Sequence, residues 1–415
     1  MPATGRGYDA STLYLGFPTN NDVNDSAKNL GLAALNFGDI PAQIKAVVDD
    51  VNKRGGVLGR KVVPVLHDIK TASLQNDPNG EAQATCSAFT EDHKVVAVVN
   101  VVAGIDLQSF YACLAKHDTP LVSAGFTPVD DAFMASFSPY LYKLTSASFS
   151  SLTPVWIARL AAQRYFNGWN PSTGGAGPGP AKIGLLYPSV QPQQRIFASI
   201  HQQLTRRGYD VVKEFQYSVA SLDQESSSMA GAVLAFNSAG VTHVLSSEAD
   251  ALLFMTAAEN QHYRPRYGLT SYHAPAAALQ GTVPAAQLIG SMGVGWLPVS
   301  DVDSTNNPGT VGPGETTCRK IMKDHGVDIS SAGAATVAFG ECDGIHLLIG
   351  AVTTQHDASS RGVRLGVGRI GPSFASALVR QSGFSANRAV MPGAVRDFAY
   401  DGSAYRYTST TDYRL

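Results

Sequence analysis

Residues 366–371, GVGRIG, fit the G-x-G-x-x-G spacing that lets a strand-to-helix turn press its backbone amides against a dinucleotide. Such a loop needs a strong strand before it and an acidic residue about 20 positions on. The run before it is weak and position 391 is Met391, so the spacing alone does not make a cofactor site. The chain holds no G-x-x-x-x-G-K-[ST], no H-E-x-x-H, no EF-hand loop and no G-x-S-x-G elbow. Ten histidines are scattered along it. His262 and His273 lie near one another, but no carboxylate or cysteine stands at ligand spacing, and no metal is expected. His67, beside Asp68, could polarise a ligand, although a hydrogen-bonded histidine at a strand end is the commoner case. Asn24-Asp25-Ser26 is a glycosylation sequon. No catalytic machinery is legible, so neither an enzyme nor a cofactor is expected.

What the chain offers instead is polar or aromatic residues after successive strand-like runs. In the first half these are Asn20-Asn21-Asp22, Ala103-Gly104 and Ser123-Ala124-Gly125-Phe126-Thr127. In the second they are Tyr187-Pro188-Ser189, Ser247-Glu248-Ala249-Asp250 and Ser271-Tyr272-His273. Loops collect at strand ends in any protein. Two parallel sheets with such ends facing each other, however, would form a cleft of the kind that binds small molecules.

The elements that would position these residues follow from periodicity. Strand-like runs fall at 12–17, 61–67, 94–102, 119–124, 140–145, 182–187, 210–217, 241–246, 266–271 and 290–295. Amphipathic helices alternate with them. Over 39–54, Ile40, Ile44, Val47, Val48 and Val51 share a face, with Asp39 as N-cap and Pro41 in the first turn. Over 106–117 the face is Leu107, Phe110, Tyr111 and Leu114; over 193–207 it is Ile196, Phe197, Ile200 and Leu204. Gly55 and Gly56 stop the first of these helices through left-handed backbone. Val62 to Leu66 then reads as a short buried strand, with Asp68 at the carboxyl end where open α/β sheets meet ligands. Strands alternating with helices mean βαβ units, and hence an α/β fold of doubly wound parallel sheets. The two series, before and after about residue 150, look like two similar lobes. Stretches rich in Gly, Pro, Ser or Asn lie at 167–181, 299–315 and 357–372; the first reads as a long surface loop.

Composition narrows the partners. Charged residues make up 15% of the chain and the net charge is −2, with no cluster of lysines and arginines, so nucleic acid is a poor partner. No run of 18 apolar residues suggests a membrane span. The start, MPATGRGYDAS, lacks the basic and apolar regions of a signal peptide. The four cysteines, Cys86, Cys113, Cys318 and Cys342, fall into two sequence-local pairs without C-x-x-C spacing. They read either as buried thiols or as two structural disulfides of an oxidising compartment.

Several stretches resemble one family. AVVDDVNKRGGVLGRKVVPVLHD at 46–68 is similar to the signature of type I periplasmic solute-binding proteins of the branched-chain amino acid (Leu/Ile/Val-binding) class, the substrate-binding components of ABC transporters. NDPNGEAQATCSAFTEDHKVVAVVN at 76–100, TPLVSAGFTP at 119–128, YLYKLTSAS at 140–148 and FGECDGIHLLIGAV at 339–352 resemble later stretches of that class. AKIGLLYPS and GVTHVLSSEADALLFMTAAENQHYRP resemble its second lobe.

The resemblance implies two lobes of the periplasmic binding protein-like I fold joined by a three-strand hinge: 11–146 with 297–390, and 147–296 with 391–415, crossing near 146, 297 and 391. It implies a small-molecule solute held by hinge closure, a membrane permease as partner and a monomer. It also implies an extracellular or periplasmic location, with a removed leader and a lipid anchor. A cystine between Cys86 and Cys113 fits the family, and Cys318 with Cys342 would join two helices of the same lobe. Phe37-Gly38-Asp39 stands where the family has an aromatic residue over the ligand. Gly125 and Thr127 stand where backbone and hydroxyl groups hold a carboxylate. Phe149 lies just past the first crossing, Glu248 and Asp250 near an ammonium-binding position, and Tyr272 and His273 near another contact. Asn21, Ala103, Gly104, Phe126 and Ser189 complete the expected ligand set. Two departures stand out: the loop VVAGID in place of a Ser/Thr-rich loop, and the bulky Phe126 among small residues. Both favour a ligand more apolar or aromatic than an α-amino acid, with a polar end; the solute expected overall is a small amphipathic molecule, amino acid-like, an amide or an aromatic acid. A sensor of the same fold, passing its ligand to a receptor, is the alternative.

Overall fold

The computed structural model describes residues 4–29, 36–218, 222–246, 251–303 and 313–415. The chain divides into two compact units. Unit 1 comprises Met1–Thr127, Ala132–Ala147 and Thr310–Gly393; unit 2 comprises Pro128–Asp131, Ser148–Gly309 and Ala394–Leu415.

Among the described residues, unit 1 carries a five-stranded parallel sheet: β1 (Thr12–Thr19), β2 (Lys61–Asp68), β3 (Ala97–Asn100), β4 (Leu121–Ser123) and β5 (Leu141–Lys143), in the order β2-β1-β3-β4-β5. The chain moves outward from β1 to β2, then returns to the other side of β1 for β3. That reversal makes a topological switch point between β1 and β3, the place where doubly wound sheets open a crevice at their carboxyl ends.

In unit 2, helix Phe149–Ala162 is followed by a hairpin of two-residue strands, β6 (Trp169–Asn170) and β7 (Gly175–Ala176), within the loop read from the sequence. Its parallel strands are β8 (Lys182–Pro188), β9 (Asp210–Tyr217), β10 (His243–Ser246), β11 (Arg266–Thr270) and β12 (Met292–Gly295). They run in the order β9-β8-β10-β11-β12, repeating the winding of unit 1. Three antiparallel strands extend this sheet: β13 (Ala394–Tyr400), β14 (Tyr405–Tyr407) and β15 (Tyr413–Arg414).

The expected α/β class and strand runs are therefore present, most to within two or three residues. Helices Ile40–Lys53, Gln108–Lys116 and Gln193–Arg206 match the three amphipathic patterns. Asp39 caps the first of them, its Oδ1 accepting the Ala42 amide at 3.0 Å. Gly55 and Gly56 have φ of +102° and +71°, and the Gly56 amide donates to Val51 across the helix end. A side chain at 56 would strike the Arg60 carbonyl at 2.0 Å.

One reading needs correction. β2 is an edge strand whose Leu66 is 46% exposed, so Val62 to Leu66 is half-solvated rather than buried. Pro64, which has no amide to donate, suits such an edge. GVGRIG, rejected above as a cofactor loop, lies in helix Ser360–Ile370, which Gly371 ends. Gly366 lets this helix approach helix Ala332–Gln355 closely: a Cβ there would sit 2.3 Å from the Ala351 carbonyl. The spacing serves helix packing.

Helix Ala332–Gln355 is long and apolar enough to cross a membrane, with a mean hydropathy of 1.3, but 78% of its most apolar window is buried. It packs in unit 1 against β3, where a Cβ at Gly344 would meet the Val99 side chain at 2.5 Å. Both cystines brace unit 1. Cys86–Cys113 joins helix Pro78–Ser87 to helix Gln108–Lys116, and Cys318–Cys342 joins helix Glu315–Asp324 to helix Ala332–Gln355. No free cysteine is present. Loops closed over 27 and 24 positions each restrict the unfolded chain by roughly 3 kcal/mol.

Candidate functional site

In unit 1 the carboxyl ends of β1 and β2 present a polar cluster. Asp68 Oδ1 accepts the Asn21 amide at 3.1 Å, and Lys70 Nζ pairs with Oδ2 at 2.6 Å. Asp22 accepts the Thr71 amide and hydroxyl at 3.0 and 2.9 Å. Asn21 itself is exposed. His67 lies edge-on to Phe89 at 6.0 Å, and burial lowers its pKa. Phe37 is half-buried; its amide donates to Asn24 Oδ1 at 2.8 Å, while Asn24 Nδ2 donates to the Gly38 carbonyl at 2.9 Å. The sequon asparagine thus has both ends of its amide engaged in holding the Phe37-Gly38 turn. Ala103 and Gly104 form an exposed 3-10 turn after β3.

After β4 the picture departs from the sequence reading. Gly125, Phe126 and Thr127 do lie at the strand end, but a buried carboxylate has taken their neighbourhood. Asp106 and Lys143 form an ion pair whose side chains are both 0% exposed. Ser123 Oγ donates to Asp106 Oδ1 at 2.5 Å, and Thr127 Oγ1 donates to Oδ2 at 2.7 Å. Lys143 Nζ donates to Oδ2 as well and to Ser123 Oγ at 3.1 Å. The Gly125 amide, expected to face a ligand, donates to Ser123 Oγ at 3.1 Å, and its carbonyl accepts from Thr145 at 2.7 Å. Burial works against charge on Asp106, but Lys143 and the two hydroxyls overcome it and hold the carboxyl below its ordinary range. Burial likewise lowers the Lys143 ammonium, with Asp106 opposing. Gly125 makes room for this arrangement: a Cβ there would stand 2.2 Å from Asp106 Oδ2.

Sequence reasoning missed both partners. Asp106 was placed in a helix that begins only at Gln108. The available signal was Lys143, a cation inside the apolar run LYKLT, since a buried charge demands a counter-charge.

Unit 2 places a different set at its strand ends. Phe149 and Tyr272 stack at 5.2 Å with an interplanar angle of 14°, and Tyr272 meets Trp296 edge-on at 5.2 Å. All three are buried. His273 has both ring nitrogens engaged: Nδ1 lies 2.9 Å from the Thr270 amide, and Nε2 lies 3.0 Å from Ser246 Oγ. Burial pushes its pKa down to about 4, so it is neutral near pH 7. Ser189 is exposed after β8, its amide donating to the Tyr217 carbonyl at 2.8 Å. Glu248 and Asp250 lie outside the described residues.

Beside this aromatic group sits Asp301, 0% exposed. Its Oδ2 accepts from Ser271 Oγ at 3.0 Å, the Leu297 amide at 2.8 Å and Tyr407 Oη at 3.1 Å. Among the described residues its Oδ1 has no hydrogen-bond partner. Burial raises its pKa to about 7. No group of three or more metal-ligating side chains occurs among the described residues.

The fold and these strand ends meet their relatives in the sequence comparison. A family model described as periplasmic binding protein matches residues 30–307, about two thirds of the chain. The chain belongs to the periplasmic binding protein family. Its fold is that of the type I class, and the matched family is one of binding proteins rather than enzymes.

Solved structures agree in fold over nearly the full chain at low identity. A possible leucine/isoleucine/valine-binding protein from Rhodopirellula baltica SH 1 is 16% identical, with a TM-score of 0.65 and 98% of each chain covered. An ABC-transporter solute-binding protein from R. palustris, solved with 4-hydroxybenzoate, is 13% identical, with a TM-score of 0.67 and 97% of each chain covered. A fatty acid ABC transporter substrate-binding protein from Thermomonospora curvata is 15% identical, with a TM-score of 0.67, covering 99% of this chain and 94% of its own. No curated protein matches the chain. The periplasmic location typical of the family accords with the two cystines, which belong to an oxidising compartment.

Proposed function

We propose that this chain is the solute-binding component of an ABC importer, capturing one small amphipathic molecule and delivering it to a membrane permease. The observation that carries this reading is the repeated winding. Both units order their parallel strands alike, and each has a switch point whose carboxyl ends bear polar or aromatic residues. Family membership supports it, and the ligands named for the structural neighbours, an aromatic acid and fatty acids among them, span the amphipathic range. The two units correspond to the two lobes, and the ligand is taken up by hinge closure. Unit 1 contributes Asn21, Phe37, Ala103, Gly104, Phe126 and Thr127. Unit 2 contributes Phe149, Ser189, Tyr272 and the segment with Glu248 and Asp250. The protein works outside the cytoplasm as a monomer held to the membrane by a lipid anchor.

A thermal-shift screen against amino acids, aliphatic amides, aromatic acids, fatty acids and sugars tests this reading. A ligand at 1,000 times its Kd stabilises the fold by about 4 kcal/mol. One chemical class should raise the unfolding midpoint clearly. No shift from any class, with no small molecule released on denaturation, would overturn the proposal.

A further inference from the structure

The hydroxyls after β4 and the ammonium that ends β5 form a set of donors converging on one point, and that point is occupied by the chain itself. Ser123 and Thr127 have one proton each, and both protons go to Asp106, at 2.5 and 2.7 Å. Lys143 donates to the same carboxylate and to Ser123. Two hydroxyls and a buried ammonium around one carboxylate are what a binding protein would build to hold an acid. Here the acid is internal, and Gly125 leaves it the space it needs.

We propose that Asp106 fills a carboxylate seat from within, and thereby makes unit 1 select a ligand whose end there carries N–H or O–H donors and no negative charge. This rests on the reading that the strand ends of unit 1 meet the solute. Thr127, half-exposed, retains lone pairs that can accept from an amide or hydroxyl. Its proton is not available to a ligand acid. A second carboxylate brought beside Asp106 would also meet a buried like charge with Lys143 already neutralised.

Two measurements decide it. The first uses Asp106→Ala, which empties the seat and leaves its donors. Its unfolding midpoint, lowered relative to the parent, should rise saturably with sodium formate, by about 2 °C or more. Chloride at equal ionic strength should not do this, and the parent protein should not respond to formate. No formate response in the variant, or an equal response in the parent, would overturn the proposal.

The second uses the unaltered protein, and so stands if the variant fails to fold. Pairs sharing a carbon skeleton, such as benzamide with benzoate and hexanamide with hexanoate, are titrated calorimetrically. The amide should bind at least about tenfold more tightly than the acid, a difference of about 1.4 kcal/mol. Equal or tighter binding of the acid would overturn it. If no pair binds, the solute-binding reading fails for these classes, and the formate response alone decides whether the seat exists.

Discussion

The two units answer the same physical problem in opposite ways. Each has a serine at the end of its fourth parallel strand in sequence, Ser123 after β4's core and Ser271 just past β11, and each serine donates to a fully buried aspartate. In unit 1 the next strand, β5, ends in Lys143, which pairs with Asp106. In unit 2 the next strand, β12, ends in Gly295, and a Cβ there would lie 2.2 Å from Asp301 Oδ2. Where one unit supplies a cation, the other supplies only room. Asp106 is accordingly held charged, while Asp301, with one oxygen unpartnered among the described residues, has its pKa raised to about 7. A buried carboxylate is tolerated either by pairing it or by letting it keep its proton.

The strongest way to break the comparison is to remove the cation. Lys143→Met leaves Asp106 buried and unpaired, and should cost about 3–5 kcal/mol in urea-induced unfolding. Adding Asp106→Asn should recover most of that loss, because the charge goes while an acceptor for Ser123 and Thr127 remains. A double variant no more stable than the single one would mean that packing, not charge, sets the cost.

A smaller effect is expected from filling the space beside the pair. Gly125→Ala places a methyl against the Asp106 carboxylate and should cost about 1–3 kcal/mol. Unchanged stability would show that the loop after β4 shifts freely.

The smallest change sharpens the contrast through pH. Asp301 and Asp343, both fully buried, have folded pKa values near 7 against an ordinary 3.8. The folded state therefore binds more protons than the unfolded state between those values, and stability falls as pH rises through that window. Asp106, shifted the other way, contributes stability above its ordinary pKa that is lost as pH falls below it. Their contribution to the thermal midpoint should thus be larger at pH 5.5 than at pH 8, opposed by His273 and His243, which burial keeps neutral down to about 4, and the midpoint should fall again below pH 4. Asp301→Asn should flatten the neutral side of that curve while changing stability at pH 5.5 by less than about 1 kcal/mol. The carbonyl oxygen of Asn can accept the three bonds now made to Oδ2. A curve identical to the parent's would remove Asp301 from the account.

Most of the doubly wound architecture was legible because its inner strands, β3, β8 and β10 among them, are buried on both faces and read as continuous apolar runs. What was not legible has particular reasons. Strands β13 and β14 are antiparallel and mix Arg, Asp and Tyr with apolar residues, as in AVRDFAY, so they give no such run. Gly125 was placed correctly at the site edge, but its reason, the approach of Asp106, depends on a residue 19 positions earlier. The Asp106–Lys143 pair spans 37 positions and joins a loop to a strand end. Only the sheet brings them together. Resemblance to a family assigned Gly125 and Thr127 to a ligand carboxylate, and the structure finds their donors already engaged by Ser123 and Asp106.

Both cystines lie in unit 1, and each closes within one continuous segment of it: Cys86 with Cys113 in Met1–Thr127, and Cys318 with Cys342 in Thr310–Gly393. Four cysteines allow three pairings, yet a chain emerging from its amino end meets them in an order that favours one. Cys86 and Cys113 can be oxidised together long before Cys318 arrives, and the later two then have only each other. The order of thiols along the chain thus itself favours the two sequence-local pairings over the mixed ones.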